Sequence, residues 1–325
     1  MEDTIKKVSV VCGAGGFIGG MLSKRLIEQG HTVIGVDIKA HEYMTLPFHK
    51  FVIGDLRNIE VVRDIIPDSV DVVYQLAADM GGATYINTGL NDADVMSNSV
   101  VVNCNVLKVC VEKKAKKVFY SSSACVYPEH NQLDPNIPNC SEGSVYPADP
   151  DSEYGWEKLF SERLYKSFEK QYGLNVRIAR FHNIYGPYGT YSGGKEKAPA
   201  ALCRKVAVST ETIEVIGDGE QTRSFLYIED CLDAVERLMN SDYKEPINIG
   251  SEEMVTINGL AKIIFEVSKK NLTIQHVPGP QGVRGRNSDN TIIERVLKWS
   301  PKYSLKDGIE ILYKWVSTEV QQEYV

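Results

Sequence analysis

A glycine loop set between a short apolar run and an amphipathic helix constrains this chain more than any other feature. Val8-Ser9-Val10-Val11 reads as a buried strand, Gly13-Ala14-Gly15-Gly16-Phe17-Ile18-Gly19 follows it, and Met21, Leu22, Leu26 and Ile27 fall on one helical face. Glycines at 13, 16 and 19 supply a tight turn, close backbone approach to a pyrophosphate, and close packing of helix on strand. The unpaired N–H groups of the helix start, at Phe17 and Ile18, face the phosphates. A second apolar run, Thr32-Val33-Ile34-Gly35-Val36, ends in Asp37. An acidic side chain there binds a ribose 2′-hydroxyl and repels a 2′-phosphate, so NAD is expected rather than NADP.

Apolar runs at 8–12, 32–36, 50–53, 71–76, 117–121 and 175–180 alternate with helical patterns at 17–29, 58–66, 97–114 and 153–172. This alternation predicts an α/β fold with a Rossmann-type, doubly wound parallel sheet covered on both faces. Asp55-Leu56 follows the third run, a suitable place for an adenine contact, and Leu76-Ala77-Ala78 ends the fourth, where small residues admit a dinucleotide. After about residue 181 the texture changes: Gly, Pro, Tyr and Lys are dense through 183–199, and helical patterns follow near 198–209, 229–240 and 256–269. Residues 1–180 are therefore expected to form the NAD-binding domain and 181–325 a smaller C-terminal substrate-binding lobe, with 223–250 returning to the main sheet.

Composition narrows the classes of function. A net charge of −7 disfavours a general nucleic-acid surface. Mean hydropathy is −0.22, and no apolar run approaches the roughly 18 residues needed to span a bilayer. The start Met-Glu-Asp-Thr-Ile-Lys-Lys shows no basic-then-apolar signal pattern, so a cytoplasmic location is expected. Seven cysteines without a C-x-x-C pair read as reduced thiols, and the scattered histidines point to no metal site.

The chemistry-bearing residues follow the fifth run. Ser121-Ser122-Ser123-Ala124-Cys125 lies at the carboxyl edge of the sheet, where open α/β folds bind ligands. Downstream, Tyr154-Gly155-Trp156-Glu157-Lys158 puts Tyr154 and Lys158 four apart, on one helical face. Lys158 is expected to lower the phenol pKa of Tyr154 and to hold a cofactor ribose, and Tyr154 to take a proton from a sugar hydroxyl as hydride leaves the same carbon. Ser123, read as furthest beyond the strand, completes a Ser-Tyr-Lys set. Cys125, two residues on, is either an acid/base group or a small buried hydrophobe. Lys195 and Lys197 both follow Gly193-Gly194, and spacing does not choose between them. Trp156 and His182 are read as packing residues.

These motifs resemble the extended short-chain dehydrogenase/reductase family, which acts on nucleotide sugars. A narrower resemblance, to the GDP-mannose 3,5-epimerase family, covers nearly the whole chain. It is carried by Ala77-Ala78-Asp79-Met80-Gly81-Gly82, Ser122-Ser123-Ala124-Cys125-Val126-Tyr127-Pro128-Glu129 and Phe181-His182-Asn183-Ile184-Tyr185-Gly186-Pro187. It continues in Gly194-Lys195-Glu196-Lys197-Ala198-Pro199-Ala200-Ala201, Gly217-Asp218-Gly219-Glu220-Gln221-Thr222-Arg223-Ser224-Phe225 and Pro278-Gly279-Pro280-Gln281-Gly282-Val283-Arg284-Gly285-Arg286-Asn287-Ser288-Asp289-Asn290.

The resemblance implies tightly held NAD, GDP-mannose as substrate, and Cys125 and Lys197 as the acid/base pair, with Lys197 chosen over Lys195. It implies diphosphate contact by Lys205 and Arg286, and a sugar pocket lined by Gly82, Ser123, Asn183, Glu196 and Gln221. It also implies a homodimer built by pairing helices 97–114 and 153–172 into a four-helix bundle. A 4,6-dehydratase is disfavoured because Ala124 and Cys125 stand where such enzymes carry an acidic pair. A simple 4-epimerase needs neither Cys125 nor Lys197. A non-catalytic NAD sensor has no use for the Ser123-Tyr154-Lys158 set.

Overall fold

A computed structural model describes residues 6–86, 88–279 and 282–323. The predicted strands form as β1 (Val8–Cys12), β2 (Thr32–Asp37), β3 (Lys50–Ile53), β4 (Val72–Gln75), β5 (Val118–Ser123) and β6 (Val176–Phe181). With Ile247–Ile249 outside β6, they build a seven-stranded sheet in the order Ile247–Ile249, β6, β5, β4, β1, β2, β3. Every pairing is parallel. The helices between them are α1 (Phe17–Glu28), α2 (Ile59–Ile65), α3 (Ala83–Ile86), α4 (Asp92–Glu112) and α5 (Glu153–Tyr172).

Side chains alternate across a strand, so one apolar run serves two cores. Val10 and Cys12 face a cluster with Val62, Val106, Leu107 and Tyr165 from α2, α4 and α5. Val11 faces the other, with Leu22 and Leu26 of α1 and buried residues as distant as Trp299, Leu312 and Val316. Strand order reverses between β1 and β4, and the carboxyl ends of the strands open into a cleft there.

Beyond β6, α6 (Ala198–Val208) packs with helices Ile257–Ser268 and Leu305–Glu323. Lys270 Nζ donates to Val206 O, Ala207 O and Ser209 O at 2.7, 2.7 and 2.9 Å, placing a cation on the carbonyls at the end of α6. Strand Thr222–Ser224 lies between Met254–Thr256 and Gly285–Arg286 in a small three-stranded sheet. Two expectations need correction. Helix α4 begins at Asp92, earlier than position 97, because its first turn is polar: Asp92 and Asp94 suit a helix start but add nothing to an apolar period. Trp156 does not pack within the chain; it lies on the outer face of α5 and is 39% exposed.

Candidate active site

The glycine loop is a backbone-only cradle. Gly13 has φ +87°, and a Cβ there would lie 2.8 Å from Ala77 N; a Cβ at Gly19 would lie 2.0 Å from Gly13 O. Helix, strand end and loop therefore meet at distances no side chain permits. Gly16 caps the start of α1, and Asp37 Oδ2 accepts from Gly15 N at 3.0 Å, tying the carboxylate at the end of β2 to the loop. Burial raises the pKa of Asp37, against the bonds it accepts. Gly13, Gly16, Phe17, Ile18, Gly19, Asp37, Asp55, Leu56 and Ala77 all line one cleft of about 590 Å³. Asp55 reaches that wall with its carboxylate already forked to Arg57, at 2.9 Å and 2.6 Å from Oδ2. A bare cradle ending at a helix start, beside an acidic strand end, fits a dinucleotide. A second cavity, of about 360 Å³, is lined by Lys7, His31, Asp71, Lys116 and Asn175 just before the strands, and holds none of the predicted residues.

Ser123, Tyr154 and Lys158 line the same cleft. Ser152 caps α5 through Gly155 N, and a Cβ at Gly155 would lie 2.2 Å from Cys125 O. That glycine lets the first turn of α5 press against the Cys125 turn, which brings the Tyr-x-x-x-Lys pair to the serines. Lys158 Nζ donates to Ser121 O at 3.0 Å and sits 5.6 Å from the Tyr154 ring centroid. Ser123 is the last residue of β5, not a residue beyond the strand, and its Oγ accepts from Cys125 N at 3.2 Å. The expected lowering of the Tyr154 pKa is not found. Burial raises it well above the usual phenol range, with Cys125 and Glu157 adding to the rise, and the Ser123 hydrogen bond opposes them. Lys158 is lowered by burial, against the pull of Glu157, Cys125 and Glu162.

Cys125 Sγ accepts from Arg286 Nη1 at 3.0 Å. Arg286 is buried and donates also to Gln132 Oε1 at 2.5 Å and Asp151 Oδ1 at 3.1 Å, so all three bonds hold it at the cysteine. Lys197 precedes α6 and lines the cleft. Its side chain is exposed to the open cleft, although the walls around its ammonium withdraw enough hydration to lower its pKa, with Cys125 opposing the shift. Exposure limits that desolvation while the cleft is open to solvent.

The other predicted residues scatter around this centre. Asn183 adopts φ +46°, donates to Ser224 O at 2.9 Å and lines the cleft. A Cβ at Gly82 would lie 2.6 Å from Glu196 O, so the loop after β4 abuts the loop before α6. Lys195 Nζ stands 4.1 Å from the Tyr85 ring centroid across that contact. Gln221 is buried, and its Oε1 has no hydrogen-bond partner among the described residues. Lys205 is not brought to the cleft; its Nζ donates to Glu214 O at 2.7 Å on the outer side of α6. The sequence reading passed over Arg223. It is the register partner of Arg286 in the small sheet, and its pKa is lowered to about 10 by burial and by Arg286. The signal was present only as one arginine within the block 217–225.

Fold and cradle together define a dinucleotide-dependent enzyme of the doubly wound class, and residues 9–250 match the NAD dependent epimerase/dehydratase family. The chain belongs to that family. It is 46% identical over 315 residues to GDP-mannose 3,5-epimerase 1 of Oryza sativa subsp. indica, covering 96% of this chain and 82% of that protein. It is 45% identical over 319 residues to GDP-mannose 3,5-epimerase of Arabidopsis thaliana, covering 98% and 84%. Among solved structures, UDP-glucose 4-epimerase of Thermotoga maritima, with UDP-glucose, superposes with a TM-score of 0.85 at 25% identity, over 96% of this chain and 99% of that one. UDP-glucuronic acid 4-epimerase from Bacillus cereus, in complex with UDP-glucuronic acid and NAD, gives 0.79 at 26% identity, over 96% and 99%.

Proposed function

We propose that this chain is an NAD-dependent isomerase that converts GDP-mannose to GDP-L-galactose by inversion at C3 and C5, with GDP-L-gulose as the product of C5 inversion alone. The observation that carries this reading is that Lys197 lines the cleft together with Ser123, Tyr154 and Lys158, while Cys125 lies two residues past Ser123, held by Arg286. A 4-epimerase needs only the first.

The hydrogens at C3 and C5 of a hexose are not acidic, but a ketone at C4 makes both α to a carbonyl. Gly13, Gly16 and Gly19, with Asp37 at the ribose end, would hold NAD, which would supply a reversible hydride acceptor for C4. Tyr154, as the tyrosinate that Lys158 steadies, takes the C4 hydroxyl proton with Ser123 sharing it and becomes the neutral phenol. Burial holds the phenol pKa of Tyr154 high, so forming that tyrosinate depends on the Lys158 ammonium beside it. Cys125 acts as base at C5 and Lys197 returns a proton to the opposite ring face; the same exchange serves C3. A sugar filling the cleft completes the desolvation of Lys197 and brings its ammonium nearer to proton exchange. Arg286 and its register partner Arg223 are read as the guanidinium contacts of the diphosphate, and Gly82, Asn183, Glu196 and Gln221 as the sugar pocket, of which Asn183 lines the cleft. Lys205 must release Glu214 O to join them.

The division into an NAD-binding domain, 1–180, and a nucleotide-sugar lobe, 181–325, is part of this reading, with Ile247–Ile249 completing the first domain's sheet. The chain is further read as a homodimer. Val101 on α4 and Trp156 and Phe160 on α5 are 41%, 39% and 49% exposed and offer apolar surface for a four-helix interface. Seven free cysteines suit the reducing cytoplasm, and among the described residues no helix is long and apolar enough to cross a membrane.

The test is proton NMR of the purified enzyme with GDP-mannose in heavy water and no added cofactor. Deuterium at C5 and C3, with new galacto and gulo signals, is expected. Absence of exchange in enzyme shown to hold NAD would overturn the choice of substrate.

A further inference from the structure

Lys195, two residues before Lys197, lines the cleft, and its Nζ stands 4.1 Å from the Tyr85 ring centroid. That is well inside the roughly 6 Å over which an aromatic face attracts an ammonium. The ring is a fixed platform. Tyr85 OH donates to Asp79 Oδ1 at 2.9 Å, Asn91 Nδ2 donates to Tyr85 O at 3.1 Å, and a Cβ at Gly81 would lie 2.6 Å from Tyr85 Cβ. Asp79 is braced in turn: its Oδ2 accepts from Asn98 Nδ2 at 2.9 Å, and Asn98 Oδ1 accepts from Arg57 Nη1 at 2.8 Å. Arg57 forks Asp55, so the bracing reaches from the Tyr85 phenol to the cofactor wall of the cleft. A phenol that donates to a carboxylate also has a more electron-rich ring, which strengthens its hold on a cation.

The arm that carries Lys195 is built the opposite way. Gly193 and Gly194 are exposed and have φ +91° and +89°, a region open to glycine without steric strain, so the backbone can pivot there. Downstream, Lys197 is the cap residue of α6, which has a proline in its first turn and fixes that end. Lys197 therefore sits between a glycine hinge and a rigid helix. The contacts just before it are Lys195 on Tyr85 and the Glu196 backbone against Gly82, where a Cβ would lie 2.6 Å from Glu196 O. Both segments, the one after β4 and the one before α6, line the cleft, so these contacts bridge it.

We infer that Lys195 latches the 193–197 arm onto the Tyr85 ring and so aims Lys197 into the cleft, as a positioning residue and not a proton carrier. Latched, the arm and the loop after β4 close one side of the cleft over a bound sugar. Released, the arm pivots on its glycines and Lys197 loses its aim. The consequence for proton exchange rests on the epimerase reading; the latch itself does not.

The latch is tested first without substrate, by limited trypsin digestion of the full chain. Trypsin cuts after Lys197, and cleavage of a briefly opened segment follows the population of its open form. Lys195 is exposed, so Lys195→Met releases the latch without disturbing a core. Lys195→Met and Tyr85→Leu should each speed the cut between Lys197 and Ala198 by about 2- to 30-fold, the span of a cation–π contact from exposed to desolvated sites. The double variant should be no faster than the faster single, and Lys195→Arg, which keeps the cation, should restore resistance. An unchanged rate in Lys195→Met, or effects that multiply in the double variant, would overturn the latch. In turnover of GDP-mannose in heavy water, Lys195→Met should slow deuterium entry at C5 by a similar factor. Absorbance near 340 nm from oxidation at C4 should form as in wild type; loss of both together would mean general damage to the site and not a lost aim of Lys197. If wild type shows no exchange, the proposed function falls and the digestion still decides the latch.

Discussion

Cys125 and Lys197 carry the distinction between this chemistry and a simple 4-epimerization, so they are where single substitutions say most. Cys125→Ala should abolish deuterium entry at C5, a loss of at least about 100-fold. Oxidation at C4, read as absorbance near 340 nm on mixing with GDP-mannose, should persist. Full epimerisation by the alanine variant would remove Cys125 from the mechanism. His182 yields a separate prediction. It is fully buried, its Nε2 bonds Asn248 Oδ1 at 2.9 Å, its Nδ1 has no hydrogen-bond partner among the described residues, and burial lowers its pKa to about 3. The folded state keeps it neutral while the unfolded chain binds a proton below its ordinary pKa of about 6.5, so stability falls as pH drops through that window toward 3. His182→Gln should flatten this acid limb by on the order of a few kcal/mol, measurable by urea unfolding at several pH values; an unchanged limb would mean that other groups govern it. Spacing revealed Tyr154, Lys158 and Ser123, because one helical turn and one strand end place them. It could not reveal Arg223. In Gln221-Thr222-Arg223-Ser224 an arginine reads as a surface charge, and only a two-residue pairing with Gly285–Arg286 sets it beside Arg286.

At the level of elements, glycine loop and α5 start share one logic: each works because a missing side chain permits a contact. Gly19→Ala would put a Cβ into Gly13 O and open the cradle. The variant should purify without NAD, seen as loss of cofactor absorbance after heat release, while its far-UV circular dichroism stays near wild type. Retention of stoichiometric NAD would mean that the loop is not the holding element. Helix α5 also carries the proposed dimer contact on the face turned away from Glu157 and Lys158. Trp156→Glu with Phe160→Glu should yield a monomer by light scattering, and a monomeric wild type would exclude the interface outright. Strands and helices through β6 were legible because alternation and period survive burial on both sheet faces. The C-terminal helix Leu305–Glu323 went unread although Leu305, Ile309, Leu312, Val316 and Val320 keep a helical period, and strands of two or three residues, such as Thr222–Ser224 and Gly285–Arg286, carry no period to read.

Across the whole molecule, the two proposed lobes are not two cores. One cluster of buried side chains runs from Val11 and Leu22 beneath the cradle, through Leu202 on α6 and Leu232, to Trp299, Leu312 and Val316 near the end of the chain. Phe17 at the start of α1 stands within 3.3 Å of where a Cβ would lie at Gly189, so the cofactor loop also touches the segment after β6. Such continuity leaves the later lobe without an apolar interior of its own, while the earlier lobe has a second cluster around Val10, Val62 and Val106, and a domain lacking its own core does not unfold independently. Calorimetry of the holoenzyme should therefore give one transition. Removing NAD should move that transition down as a unit, by an amount set by cofactor concentration over its dissociation constant, rather than split it. A first transition that responds to NAD, followed by a second that does not, would show that the shared cluster fails to couple the lobes. The cleft would then have to be regarded as the junction of two separately stable bodies. A single transition means instead that the energy of cofactor binding is available to hold Lys197, carried by the later segment, against Cys125 and Tyr154, carried by the earlier one.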